Sequence, residues 1–507
     1  MDIESFRPLL VILVSLIGAG FIIANRDNPN KREICSFATA VTKFVLVISM
    51  LPGILAGNTY TFTLFTFLEE VSFTLRADAL GITFAIVAST LWMITSVYSI
   101  GYMRPTKEHA QTRFYACFAV TLSMTMGVAF SANLVTLYLF YEMLTLITYP
   151  LVSHKQTDVA YAGANKYLFY LLGTSKAFLL TGMLLSYAFA GTLDFQTGGL
   201  FPKDAGATHG TLLVVIYFLL LFGIGKAALM PVHAWLPAAM VAPTPVSALL
   251  HAVAVVNTGV FSVLRIIFHV FGVDLMQSLH LGLVTVILAS FTILMASFFA
   301  MTRDNLKARL AYSTVSQLSY IVLGGALLSV SGMTGGIIHI ANHAFSKITL
   351  FYAAGAIYVI THKTLVSQLN GIGRQLPFTM VAFSIGALSM IGVPPVSGFT
   401  SKWFLALGTM ESGQIATMVV LLTSTLLNAG YFMPIVYRAF FKPPDEELTP
   451  AHAIAGDKDG GGDDEHHDIN ESDHKFLVVP LCLTAVIAVL LGIFPNLFLN
   501  LAKLVIG

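Results

Sequence analysis

The chain has 507 residues, 56% of them hydrophobic and only 10% charged, with a mean hydropathy of +0.80. A water-soluble domain of this size could not cover its core with so little polar surface, so the chain belongs in lipid. A formal net charge of +1 gives no purchase on a nucleic-acid backbone. Cys35, Cys117 and Cys482 are far apart and form no C-x-x-C unit for zinc or an iron–sulfur cluster, so no cofactor is expected and any redox chemistry lies in another chain.

The N-terminus, Met-Asp-Ile-Glu-Ser-Phe-Arg, has neither the basic region nor the cleavage site of a signal peptide, and the apolar run behind it is expected to stay as the first span. A bilayer core about 30 Å thick takes roughly 20 apolar residues per helix. Such runs fall at 8–24, 35–55, 81–102, 114–130, 134–152 and 167–190. Others follow at 212–229, 246–271, 281–301, 310–330, 335–360, 378–407, 415–440 and 476–498, which predicts 14 spans. Pro231, Pro237, Pro394 and Pro395 interrupt the seventh and twelfth. Between the second and third spans, residues 60–78 alternate Thr with Phe around Glu69 and Glu70, the pattern of a small external hairpin.

Cytoplasmic connections are enriched in Lys and Arg. Arg26, Lys31 and Arg32 follow span one; Arg104, Lys107 and Arg113 follow span three; Lys155 follows span five; Arg303, Lys307 and Arg309 follow span nine; Lys363 and Arg374 follow span eleven. The even connections carry little beyond Arg76, Lys203 and Arg265, so the expected arrangement is a multi-pass protein of the cell (inner) membrane with both termini outside. The one long polar stretch, 443–474, contains GDKDGGGDDEHHDINESDH at 456–474. Its plain reading is disorder, with weak binding of a divalent cation as the alternative.

A charge at the bilayer centre costs roughly 3 kcal/mol on insertion scales, so charged residues there face a protein or water-lined interior and mark ion routes. Glu142 stands in LYLFYEMLTLITYP, too central for its short side chain to reach water. Lys226, in LLLFGIGKAALMP, lies at equal depth just before a proline, where a broken helix frees carbonyls for water or cations. A buried Glu–Lys pair is the simplest arrangement of the two. In the eleventh span, GGIIHIANHAFSKITLFYAAG, residues His339, His343 and Lys347 recur every four positions on one helix face, a row about 12 Å long. Histidine titrates near neutral pH and a lysine out of water holds its proton less tightly, so such a row can pass protons. His251 in the eighth span and Lys402 in GVPPVSGFTSKW are further stations, and Lys176 in LLGTSKAFLL is a possible side station.

Taken singly, each has a structural reading: Lys347 and Lys176 can snorkel, and His339 and His251 can hydrogen-bond a neighbouring helix. HIANH also has the spacing of a helical zinc pair, but lacks the glutamate of H-E-x-x-H, and no metal site is expected. The Ser/Thr run at 313–316 reads as helix packing, since nothing near it forms a triad.

The segments GKAALMPVHAWLPAAMVAPTPVSALLHA, RLAYSTVSQLSY, HIANHAFSKITLFYAAG and GVPPVSGFTSK closely resemble the large antiporter-like subunits shared by Mrp-type cation/proton antiporters, complex I and membrane-bound hydrogenases. The likeness runs from about Leu134 to Tyr437. It implies an all-α fold of 14 membrane helices with two inverted five-helix repeats and broken helices seven and twelve. Divided on that pattern, helices one to three and the hairpin occupy 1–112, the first repeat 113–271, the second 281–440, a polar cytoplasmic loop 441–475 and the last helix 476–507. By the same resemblance Glu142 and Lys226 match the pair at the proton inlet, His251, His339, His343 and Lys347 the connecting row, and Lys402 the exit side. Asn257 departs from the pattern, standing where several relatives carry a lysine, and Lys176 has no counterpart role. Relatives of the largest complex I type extend into a lateral helix that this chain, stopping at Gly507, lacks, which favours a D-type subunit of an Mrp-like Na+/H+ antiporter.

That reading implies partner membrane subunits, with protons and sodium as the transported ions and no catalytic site in this chain. The alternatives are a proton-pumping subunit of a redox complex such as NADH-quinone oxidoreductase or a hydrogenase, a purely structural anchor, and an independent transporter of organic solutes.

Overall fold

A computed structural model describes residues 1–68, 71–202, 204–444 and 471–507, and the side chains at 68 and 250–252 lie outside it. Glu69, Glu70, Lys203 and the acidic stretch up to position 470 are likewise outside the described residues.

The first five spans are single helices: α1 (Arg7–Ala24), α2 (Pro29–Leu55), α3 (Ala79–Met103), α4 (Gln111–Ala129) and α5 (Leu134–Val152). Side-chain caps set several of the starts. Asn28 accepts from the Lys31 amide, Asp78 from Gly81 and Asn133 from Thr136, each satisfying an amide that the first helical turn leaves without a partner. The sixth span is α6 (Asp158–Thr174) and α7 (Leu180–Ala190), joined through a π-helical turn at Ser175–Leu179. The N-terminal strand β1 (Asp2–Glu4) pairs in parallel with β2 (Thr59–Leu68), which pairs antiparallel with β3 (Val71–Ala77). The hairpin at 60–78 is therefore part of a three-stranded sheet that also ties down the N-terminus, a strand the apolar pattern concealed.

The seventh span stops at the end of α8 (Ala205–Gly223) and continues through a 3₁₀ turn at Gly225–Ala227 to the short α9 (Trp235–Ala238). The eighth is interrupted too: α10 (Thr244–Ala252) ends, Val253 and Ala254 leave the helix, and α11 (Val255–Arg265) resumes, running into a π-helical turn at Ile266–Phe271. No proline or glycine sits at that second break, so a continuous span at 246–271 was the sequence expectation and the structure corrects it. After the short α12 (Val273–Ser278) come α13 (Leu281–Thr302), α14 (Leu306–Ala326) and the 32-residue α15 (Val330–Thr361). At 1.5 Å per residue α15 is about 48 Å long, longer than the bilayer core is thick.

The twelfth span follows the one-turn α16 (Ile372–Gln375) and is split into α17 (Pro377–Ile391) and α18 (Ser397–Glu411). Then come α19 (Ile415–Phe441), α20 (Lys475–Ile493) and a separate α21 (Asn496–Ile506), which the sequence reading had merged with the final span. Glu471, the described end of the polar loop, is buried and accepts from the amides of Phe378 (3.0 Å) and Thr379 (2.7 Å), capping α17 from a distance of some ninety residues.

Burial is uneven in the way lipid demands. The most apolar windows of α3 and α15 are 83% buried, whereas those of α2 and α20 are 33% buried and turn large side chains such as Val45, Val479 and Val486 outward. The chain is a polytopic all-α membrane protein, with α15 as its central strut. Its two ends are distinct. Asp2, Gly57, Thr59, Arg76, Phe195, His269 and Gly507 line one cavity, which puts both termini and the even connections together. Lys155, Ala242, Asn305, Lys307 and Lys363 line another at the opposite end, formed by odd connections.

Candidate functional site: a buried row of ionisable side chains

Ordinary capping places Tyr141 and Glu142 midway along α5, and the break in the seventh span places Lys226 opposite them. Lys226 is fully buried in the 3₁₀ turn. Its amide donates to the Tyr141 hydroxyl (3.1 Å), and its ammonium donates to the Tyr141 main-chain carbonyl while lying 3.3 Å from the centroid of the Tyr141 ring. The expected direct Glu–Lys pair is not formed: no ion pair within 4.0 Å joins Glu142 to Lys226 among the described residues. Glu142 is half-buried, with carboxylate oxygen Oε1 buried and not hydrogen-bonded, and its charge reaches Lys226 through space. Gly259 on α11 makes this packing possible, because a Cβ there would stand 2.2 Å from the Ala227 nitrogen and 2.3 Å from the Lys226 carbonyl carbon.

The second half of the row is built on α15. Gly324 of α14 and Gly408 of α18 leave no room for a Cβ against Gly336 and Gly332, at 2.7 and 2.4 Å from their Cα atoms, so three backbones close on one another. That approach brings Gln317 and Ser401 to His339, whose Nε2 lies 3.1 Å from Gln317 Oε1 and whose Nδ1 lies 2.7 Å from Ser401 Oγ. His343 is one turn on, its ring centroid 6.2 Å from that of His339, and it is fully buried. Lys347 is also fully buried and donates to Ser313 Oγ at 2.7 Å.

From Lys347 a chain of polar groups runs to the break in the twelfth span. The Tyr431 hydroxyl reaches Ser313 (3.2 Å) and Asn428 Oδ1, the Asn428 amide donates to the Met390 carbonyl (3.2 Å), and Lys402 donates to that same carbonyl (2.7 Å) and to Ile391 (2.9 Å). The helix break supplies those acceptors, because carbonyls at the end of α17 have no amides ahead of them. The run at 313–316 therefore holds more than packing contacts, since Ser313 links Lys347 to Tyr431.

Two residues stand apart. Lys176 is exposed on the π-helical turn of the sixth span, away from the row. The side chain of His251 lies outside the described residues, although its backbone is one residue from the end of α10, beside the second break. Asn257 is fully buried two residues beyond the restart at Val255.

Other buried charges escaped the sequence reading. Lys43 is fully buried in α2, donates to the Leu122 carbonyl at 2.9 Å and lies 5.1 Å from the Trp92 ring. Its apolar neighbours in TKFVLVISM were the available signal. Arg265, read as a connection residue, is buried and paired with Asp78 through two contacts of 2.6 Å. Burial by itself would raise the Asp78 carboxyl, but Arg265 holds it well below the usual carboxylate range.

Broken spans that hold lysines and histidines away from lipid define an antiporter-like membrane subunit. The chain belongs to the family described as NADH:quinone oxidoreductase/Mrp antiporter, transmembrane, whose pattern matches residues 131–428. It is 30% identical to the NADH-quinone oxidoreductase subunit N of Desulforudis audaxviator over 86% of each chain. Its fold is shared with a chain of the Mrp complex from Dietzia sp. (24% identity, TM-score 0.85, 99% of this chain and 97% of the other). A chain of the membrane-bound sulfane sulfur reductase, an archaeal respiratory membrane complex, is similar as well (22% identity, TM-score 0.83, 99% and 97% covered).

Proposed function

We propose that the chain is the proton-translocating, D-like subunit of a multi-subunit Mrp-type Na+/H+ antiporter in the cell membrane. The observation that carries the proton reading is the unbroken polar connection from Lys347 through Ser313, Tyr431 and Asn428 to the carbonyl that holds Lys402. A structural anchor has no use for a fully buried lysine joined in this way to a half-buried one, and no solute-binding constellation accompanies them among the described residues. The proton passes from the Lys226 region along His251, His339, His343 and Lys347 and leaves by Lys402, with Glu142 as the gate. When Glu142 approaches Lys226 its charge holds a proton there; when the lysine turns to the Tyr141 carbonyl, as in this structure, that hold weakens. Domain boundaries at 113–271 and 281–440, with a break five spans apart in each, fit two inverted repeats around this row. The Lys/Arg excess in the odd connections supports a cytoplasmic position for that end and an external one for the termini.

Moving one charge against 100 mV costs about 2.3 kcal/mol. That work comes from a sodium gradient in the Mrp reading and from a redox neighbour in the second reading. The second reading is favoured by the likeness to subunit N, which extends over 86% of both chains. Gentle purification of the tagged complex, mass spectrometry of its partners and proton flux in vesicles separate the two. Small Mrp-type partners and sodium-dependent flux support the antiporter; iron–sulfur or hydrogenase subunits transfer the chain to a redox pump.

A further inference from the structure

At the end of the molecule formed by the odd connections, the segment 104–110 between α3 and α4 carries Glu108 and His109 against the turn that ends α5, where His154 stands. One donor atom from each of these three residues lies within 4.8 Å of the others. His154 is fully buried, neither of its ring nitrogens makes a hydrogen bond of ordinary geometry, and its Nε2 is 3.8 Å from Glu108 Oε2. The His109 ring stacks on it at 4.9 Å, and Phe114 closes the other side at 5.9 Å. A buried imidazole turned toward a carboxylate and a second imidazole, with no protein hydrogen bond of ordinary geometry, is poorly explained by packing alone.

We propose that Glu108, His109 and His154 bind a divalent transition-metal cation of the zinc class. Two imidazoles and one carboxylate are the donor set of such ions, whereas calcium and magnesium call for oxygen alone. Tetrahedral ligands about 2.1 Å from a metal stand roughly 3.4 Å apart, so donors lying within 4.8 Å must close by up to about 1.4 Å. Glu108 and His109 can supply this movement, because His109 is exposed and both sit on a connection rather than in a helix. Water fills the fourth position. Arg113 and Lys155 lie close enough to oppose a cation, which keeps the affinity modest. The bound ion joins the connection after α3 to the end of α5, the helix that carries Tyr141 and Glu142. This site is independent of the proton reading and stands or falls separately.

The test is Co2+ titration of the intact complex, purified without a polyhistidine tag, followed by visible absorption and by Zn2+ competition. His466→Ala with His467→Ala forms the background, so that the adjacent histidine pair of the acidic loop does not contribute. In that background His109→Ala, at an exposed position on a connection, and His154→Gln should each remove one equivalent of Zn2+-displaceable Co2+ or weaken it at least about tenfold. Identical titrations for the background and His109→Ala, or loss of all bound Co2+ in the background itself, overturn the site.

Discussion

Lys226 donates to the main-chain carbonyl of Tyr141, the residue next to Glu142, rather than to the Glu142 carboxylate. A carbonyl is a neutral acceptor, so in this conformation Lys226 is hydrogen-bonded without being neutralised. Lys226→Ala removes the group that must switch. Flux through the intact complex should fall at least about tenfold, equivalent to about 1.4 kcal/mol on the limiting step, with unchanged yield of assembled complex. Glu142→Gln should do the same, and vesicle acidification with a pH-sensitive dye measures both.

Gly259 tests the same junction from behind. A Cβ at this position meets the backbone of Ala227 and Lys226, neither of which can yield as a flexible side chain could. Gly259→Ala should therefore displace the 3₁₀ turn and lower flux together with thermal stability. Gly20, whose Cβ would meet nothing within 4 Å, is the control, and Gly20→Ala should leave both readings at the wild-type level.

The polar chain between the lysines gives a graded prediction. Tyr431→Phe keeps the ring but removes the hydroxyl that joins Ser313 to Asn428. It should slow flux several-fold while changing melting temperature by little more than two lost hydrogen bonds, about 2 kcal/mol together, allow. Flux at the wild-type rate would mean that the proton does not use this connection.

Asp78 and Arg265 predict a stability effect without a transport effect. Asp78→Asn leaves a buried guanidinium unpaired, which costs about 3–5 kcal/mol, read as a lower unfolding temperature in detergent. The sign of the pH dependence follows from the depressed Asp78 carboxyl. Its stabilisation is present above the unfolded value of about 3.9 and is lost only as pH falls through the lower folded value. The destabilisation of Asp78→Asn relative to wild type should thus be constant from about pH 5 to about pH 9.

Apolar run length showed where most spans lie, because lipid imposes that length on every helix. Proline at 231, 394 and 395 exposed the breaks in spans seven and twelve, whereas the break at Val253–Ala254 has no proline or glycine to mark it. Glu142, Lys226, His339, His343 and Lys347 were visible as ionisable residues among apolar ones. Their partners were not: Ser313 precedes Lys347 by 34 positions, Ser401 follows His339 by 62, and Asp78 precedes Arg265 by 187. Lys43 stands inside the predicted span 35–55, but the groups that hold it there, the Leu122 carbonyl and the Trp92 ring, are far away in the chain.

The account rests on protons crossing mid-membrane by way of Lys347. The most direct measurement is sodium- and potential-driven proton flux in proteoliposomes containing equal amounts of assembled wild-type and Lys347→Ala complex. Flux reduced to the level of protein-free vesicles is the predicted result; flux equal to wild type would contradict the route.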